Sequence, residues 1–250
     1  MWVWLCMGLL GLGLLLTRSR ASWIAAFVGV VIIGIYILKD HWVKQWSVVL
    51  VAGVLIYTGV SAALGSGTQV VDQASQTLSE RILEAVSLRS WRACYEGYGR
   101  IFFIINTPIH VAHYDPLFGV GPGNFGGGVA SALVNTAAYQ KLKLPFGIQN
   151  QFGQIDNSWF SILGEFGFVG ILVWLGLFVT LAQSAFFVYK KGSDLSLLAL
   201  GVCGATVGIA IMGFFGPYFE FRSLMYYFWL AVGLIFLEAK RETQKGNLLE

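Results

Sequence analysis

Apolar residues in this chain gather into six long runs, at residues 2–16, 23–38, 47–64, 159–189, 195–215 and 223–237. A helix needs about 20 apolar residues to cross a hydrocarbon core of roughly 30 Å, and fewer where polar flanks snorkel. Each run therefore predicts a membrane-spanning helix. Together they predict an all-α fold: a polytopic membrane helix bundle with about six transmembrane helices. The stretch between the third and fourth runs, residues 65–155, is too long and too polar to be a mere link. It is expected to fold over the membrane surface.

Inside that loop the pattern changes period. Residues 73–91 predict an amphipathic helix, with Leu78, Ile82, Ala85 and Val86 on one stripe and Glu80, Arg81 and Glu84 off it. A second helix is expected over residues 92–106, where Arg89, Arg92 and Glu96 share a face and Pro108 ends the helix. The run from Phe118 to Gly128 holds six glycines, too many for helix or strand, and predicts a backbone-dominated turn. No Lys-Ser/Thr follows it and no strand precedes it, which excludes a nucleotide-binding P-loop. Two readings stay open: the glycines permit close packing against helices, or their amides line a groove for a sugar or a diphosphate.

Composition agrees with the pattern. Of 250 residues, 56% are hydrophobic and 12% charged, too few charges to wrap a water-soluble core of this size. The net charge of +3, with no dense Lys/Arg stripe, speaks against nucleic acid as a partner. Cys6, Cys94 and Cys203 are too scattered for a disulfide framework or a zinc site. The first run has no basic region before it, so a signal peptide fits poorly, and further sequence is expected upstream.

Charge also orients the spans. One set of short connections holds Lys39, Lys44, Lys190, Lys191, Lys240, Arg241 and Lys245, while the opposite set holds Arg18, Arg20 and Arg222. The positive-inside rule makes the first set cytoplasmic. The expected organisation is three spans over residues 1–64, an exported loop over 65–155, three spans over 156–237 and a cytoplasmic tail over 238–250.

Candidate chemistry follows from polar residues in costly places. Arg18 and Arg20 run against the charge bias and suit an anionic lipid-borne group, since a guanidinium forks two N–H donors onto phosphate or carboxylate oxygens; headgroup snorkelling is the bland alternative. Arg222 is likewise exported, and a salt bridge to Glu220 or Glu165 would explain it. Glu165 sits about two turns into a membrane helix, where an acid needs a partner or a wet cavity. Gly164, Gly167 and Gly170 would let another helix approach there. Asp156, just ahead of that helix, suits a cap.

In order along the chain, Thr17-Arg18-Ser19-Arg20-Ala21, Arg89-Ser90-Trp91, Phe118-Gly119-Val120-Gly121-Pro122-Gly123-Asn124-Phe125 and Asp156-Asn157-Ser158-Trp159 to Gly170 resemble the O-antigen ligase and polymerase family. The likeness covers nearly the whole chain, which looks like the C-terminal half of a larger member. It implies a multi-pass glycosyltransferase of the bacterial inner membrane, acting in surface polysaccharide biosynthesis on the outer face without a metal, nucleotide or other cofactor. The implied partners are a polyprenyl-diphosphate-linked glycan donor, a growing glycan or lipid A core as acceptor, the bilayer, and other polysaccharide-assembly membrane proteins. Arg20 and Arg89 match arginines of the family pattern and would bind the diphosphate, with Arg18 and Arg222 nearby. Asp156 stands where the ligases carry histidine before Asn157, which favours a polymerase over a ligase; His110 and His113 do not match that motif.

On this reading Asp156, and after it Glu165, is the candidate acid–base residue. Trp91, Tyr95, Tyr98, Phe125 and Trp159, with Gly121, Asn124 and Asn157, are candidate glycan contacts. A rival class is half of a transporter or flippase, with Glu165 and the glycine breaks carrying substrate or coupling ion.

Overall fold

The computed structural model describes residues 2–16, 20–37, 92, 95–148 and 151–247. It separates into two compact units, Met1–Ala93 and Cys94–Glu250. The expected span over 47–64, the amphipathic helix over 73–91, and Arg18, Arg89 and Trp91 lie outside the described residues.

The first unit shows two apolar helices, α1 (Trp2–Leu16) and α2 (Arg20–Ile37). The Trp23 indole donates to the Leu14 carbonyl at 2.9 Å and ties the two helices together. Arg20 is the first residue of α2.

The second unit is also mostly helical. It runs α3 (Arg100–Tyr114), α4 (Gly128–Ala132), α5 (Thr136–Lys141), a two-residue hairpin of β1 (Gly147–Ile148) and β2 (Gln151–Phe152), then α6 (Ser158–Lys191), α7 (Ser196–Met212), a 3-10 turn (Tyr218–Glu220) and α8 (Arg222–Asn247). Ser158–Lys191 and Arg222–Lys245 are each long and apolar enough to cross a membrane, and α7 is a shorter apolar helix beside them. Cores form in two places. Phe178, Leu181, Val202, Phe228 and Ile235 fill the bundle of α6, α7 and α8. Phe103, Val111, Phe125, Tyr139, Leu142, Ile155 and Leu163 fill a smaller core under the loop.

Three details depart from the sequence expectation. The helix expected over 92–106 is interrupted: Arg92, Tyr95 and Glu96 are helical, but Tyr98 takes a left-handed φ of 52° and Gly99 an extended conformation, and α3 starts afresh at Arg100. It then runs through Pro108 to Tyr114. An interior proline costs about 3 kcal/mol, offset here by burial of Phe103 and Val111 on either side of it. Thirdly, α8 continues without interruption past Leu237 to Asn247, with Glu238 nearly buried beside Arg241 and Glu242 paired to Lys245 at 2.6 Å.

The long fourth run is not one straight helix. Gly167 takes φ 61°, ψ −161°, a conformation open essentially to glycine alone. The rings of Trp159 and Phe178 lie 5.6 Å apart between centroids, whereas 19 residues of uninterrupted helix would separate them by about 28 Å. The half-helix 158–166 therefore folds back along residues 168–178. The remaining 168–191 is about 36 Å long, sufficient to span a bilayer by itself.

Candidate functional site

The break in α6 frees backbone groups, and the glycine-rich turn takes them up. Val120 N donates to Gly164 O and Gly121 N to Glu165 O, each at 2.9 Å, while Phe168 N and Val169 N donate back to Pro116 O and Leu117 O at 2.9 and 3.3 Å. The four groups that lose helical partners are thus satisfied by a strip of loop. Side chains would prevent this docking. A Cβ on Gly167 would press into the carbonyl of Leu117 and come 2.7 Å from Phe118 N, and one on Gly119 would meet the Gly164 carbonyl and lie 2.9 Å from Gly167 N. So a loop, rather than a second helix, approaches the small residues of α6, and the close-packing reading of the glycines holds.

Beyond the strip, two carboxylates hold the turn. Glu165 Oε1 accepts from Phe125 N at 3.4 Å, and Glu220 Oε2 accepts from Gly128 N at 2.7 Å, at the start of α4. Between them Gly126 N donates to the Tyr139 hydroxyl at 2.8 Å, and that hydroxyl donates to Gly153 O at 2.6 Å. Burial pushes the Tyr139 phenol well above its ordinary pKa, against the opposing effect of the Gly126 hydrogen bond, so it stays protonated and donating. Glu165 also lines a cavity of about 400 Å³ with Phe118, Gly121, Pro122 and Trp174. Apart from Glu165 the lining is apolar, with Phe166, Val169 and Val173 completing it, so the acid's partner here is the Phe125 amide.

Asp156 is held from a direction that its local sequence does not reveal. Arg100 Nη2 donates to Asp156 Oδ2 at 2.9 Å, and Arg100 Nε donates to the Asp156 carbonyl at 2.9 Å. A cation on the first residue of a helix opposes the helix dipole, so the placement of Arg100 at the start of α3 is offset by this acid. Both side chains are about one-third exposed. Capping, the simpler role expected of Asp156, belongs to its neighbour: Asn157 Oδ1 accepts from Phe160 N at 3.1 Å. Asp156 Oδ1 carries no bond among the described residues.

The other sequence candidates divide by exposure. Asn157 is fully buried, with its Nδ2 donating to Phe214 O at 2.9 Å. Trp159 is buried, donates to Ala210 O and packs on Phe178, Phe214 and Phe219. Both build the half-helix rather than a surface for sugar. Phe125 is likewise fully buried, between Phe103 and Tyr139. Asn124 is engaged by Val120 O and Asn135, and Gly121 by Glu165 O. Tyr95 and Tyr98 are exposed and pack on Phe102, a few residues from Arg100. Arg222 is exposed and forms an ion pair with neither Glu220 nor Glu165, because Glu220 is turned to the Gly128 amide.

Sequence reasoning missed Arg100 and Tyr139. Arg100 stands alone before the apolar run Ile101–Ile105, a costly place that signals a partner without naming it. Tyr139 carries no local signal, since its partners are backbone groups 13 and 14 residues away. Among the described residues no three His, Cys, Asp or Glu side chains converge to hold a metal ion.

The sequence profile described as O-antigen ligase matches residues 5–175. No curated protein and no solved structure matches the chain.

Proposed function

The chain belongs to the O-antigen ligase family, and from that premise we propose that it is an integral-membrane glycosyltransferase that transfers or polymerises a polyprenyl-diphosphate-linked glycan in surface polysaccharide assembly. The family match carries this reading, because it takes in the glycine-rich turn, Arg100, Asp156 and the break at Gly167. Residues 65–155 lie on the outer face of a bacterial inner membrane, both chain ends lie inside, and six spans cross it. The seven-to-three division of basic residues between the two sets of short connections supports that orientation.

In the reaction an acceptor hydroxyl attacks the anomeric carbon of the lipid-linked sugar, the new glycosidic bond forms, and the bond to polyprenyl diphosphate breaks with its electron pair. The hydroxyl proton goes to a carboxylate. Asp156 serves, with Oδ2 steadied by Arg100 and Oδ1 open to the acceptor; Glu165 is the alternative base. Charge collects on the departing diphosphate, and Arg20, Arg89, Arg18 and Arg222 stabilise it there more than in the ground state. Tyr95 and Trp91 offer faces for sugar rings. Asp156 in place of the ligase histidine favours polymerisation.

The transporter reading loses its strongest support at Gly167. Broken helices of transporters present unpaired backbone to substrate or ion, whereas Gly164 O, Glu165 O, Phe168 N and Val169 N are all bonded to the loop.

The test is reconstitution of the purified chain in proteoliposomes with a polyprenyl-diphosphate oligosaccharide. Lengthened lipid-linked glycan supports the polymerase. Glycan appearing on added lipid A core identifies a ligase, and donor crossing the bilayer without a new glycosidic bond would overturn the assignment.

A further inference from the structure

A second cavity, of about 420 Å³, opens at the far end of α3, lined from that helix by His110, His113 and Tyr114 and from the end of α5 by Lys141 and Lys143. Its size is that of a small-molecule site. No carboxylate lines it. Asp115, the acid nearest in the chain, turns back on its own backbone, with Oδ1 accepting from Leu117 N and Phe118 N at 3.1 Å. Lys141 and Lys143 are the only charged residues between Pro116 and Ile155, and both line this hollow. They are exposed and, among the described residues, make no ion pair or side-chain hydrogen bond. Their backbone is nonetheless fixed. Leu142 between them is buried, Lys143 takes a left-handed φ of 53°, and bonds from Lys143 N to Gln140 O and from Leu144 N to Tyr139 O close the turn. His113 Nδ1 lies 2.6 Å from Ile109 O. A carbonyl only accepts, so the Nδ1 proton is committed there. Nε2 is left to accept from a hydroxyl or, once protonated, to donate to an anion.

Ring contacts and backbone bonds set the height of the cavity above the bilayer. The Phe219 ring lies 5.3 Å from that of Trp174 and 5.5 Å from that of Phe178, so α8, which starts three residues later at Arg222, has its outer end level with residues 174–178 of α6. Phe168 N and Val169 N bond to Pro116 O and Leu117 O, so the chain just after α3 is level with residue 168. That is about 9 to 15 Å farther out along the helix. The hollow therefore opens into water beyond the headgroups, where a dissolved or glycan-borne anion reaches it and a lipid phosphate does not.

We propose that this cavity is a remote subsite for the glycan, selecting a sugar unit that bears a carboxylate. The two lysines meet the carboxylate as point charges, His113 Nε2 and the Tyr114 hydroxyl meet sugar hydroxyls, and the Tyr114 ring, 45% exposed, offers an apolar face to a pyranose. The inference rests on the reading of the chain as a glycan-transferring enzyme. Arg100, which holds Asp156, begins the same helix, so His110 and His113 stand about 15 to 20 Å along α3 from the proposed base. An oligosaccharide of several units crosses that distance; a single sugar does not.

Isothermal titration of the full chain in detergent with trigalacturonate tests the subsite. Wild type is expected to bind it, and to bind the neutral trisaccharide maltotriose about fivefold or more weakly. The Lys141→Gln/Lys143→Asn double variant, whose Asn tolerates the left-handed turn, should bind trigalacturonate about fivefold or more weakly than wild type. Lys141→Gln alone, at an exposed position, should give an intermediate loss and guards against misfolding of the double variant. Lys240→Gln/Arg241→Gln, at the other end of the bundle, should leave binding unchanged. No binding by wild type, or equal binding by wild type and both Lys141 variants, would overturn the subsite. Equally tight binding of triglutamate, a peptide of the same net charge, would overturn the sugar as occupant in favour of an acidic protein. Displacement by equimolar inorganic phosphate would overturn it in favour of a free anion. Binding needs no turnover, so a chain that binds trigalacturonate through these lysines but transfers no glycan would retain the subsite and overturn the enzyme.

Discussion

Arg100 and Asp156, 56 positions apart, are joined by two contacts of 2.9 Å, one to the carboxylate and one to the backbone carbonyl of the same residue. The first fixes the orientation of the acid. The second fixes the approach of the chain to the half-helix that begins at Ser158. Lysine cannot reproduce both, since it lacks the rigid fork. Because both side chains are about one-third exposed, a double-mutant cycle between Arg100→Ala and Asp156→Ala should report a coupling of only about 1 kcal/mol in thermal stability. The catalytic effect should be much larger: Asp156→Asn, at normal expression, is expected to lower glycan transfer by about a hundredfold or more. Full transfer by Asp156→Asn would leave Glu165 as the base.

The break at Gly167 makes a sharper claim about stability. Gly167→Ala forces a Cβ into the Leu117 carbonyl at a backbone conformation that alanine avoids. We expect a loss of about 2 kcal/mol or more, seen as a lower melting temperature in detergent and poor accumulation in the membrane. Gly176→Ala, in the same helix with open space around it, should melt like wild type or slightly above it. Equal melting of the two variants would refute the docked loop.

Tyr139 tests the loop core without touching either acid. Removing its hydroxyl leaves Gly126 N and Gly153 O without that partner in a buried place. Tyr139→Phe should therefore destabilise the chain by about 1–3 kcal/mol while keeping the ring contacts with Phe125 and Phe146. Hydrogen exchange should rise first in residues 123–128.

Orientation is open to a direct test. With the native cysteines replaced, a cysteine at Lys141 should react with an impermeant thiol reagent in intact spheroplasts. One at Lys191 should react only after permeabilisation. The opposite pattern would invert the topology.

Diphosphate binding predicts that Arg20→Lys is nearly as harmful as Arg20→Ala, with a fall in transfer rate of about a hundredfold or more. Normal turnover by Arg20→Ala would make Arg20 a membrane anchor.

The apolar runs alone determined α1, α2, α6, α7 and α8 and pointed to a membrane, because a stretch of 15 to 30 mostly apolar residues is a local property that any window along the sequence records. The same holds for the glycine-rich turn, since φ values open only to glycine leave their mark residue by residue. Only the tertiary structure decided what those elements do to one another. The run over 159–189 is too long for one crossing, but composition does not say where it bends; Gly167 is one of three evenly spaced glycines, and a loop 50 residues earlier selects it by taking up its freed hydrogen bonds. Asp156 reads as a cap until Asn157 is seen capping and Arg100 is seen holding the acid. Glu220 reads as a partner for Arg222 until the Gly128 amide claims it. Each of these choices is a competition between partners distant in sequence, settled by which contact leaves fewest buried polar groups unpaired, and no window of neighbouring residues contains both competitors.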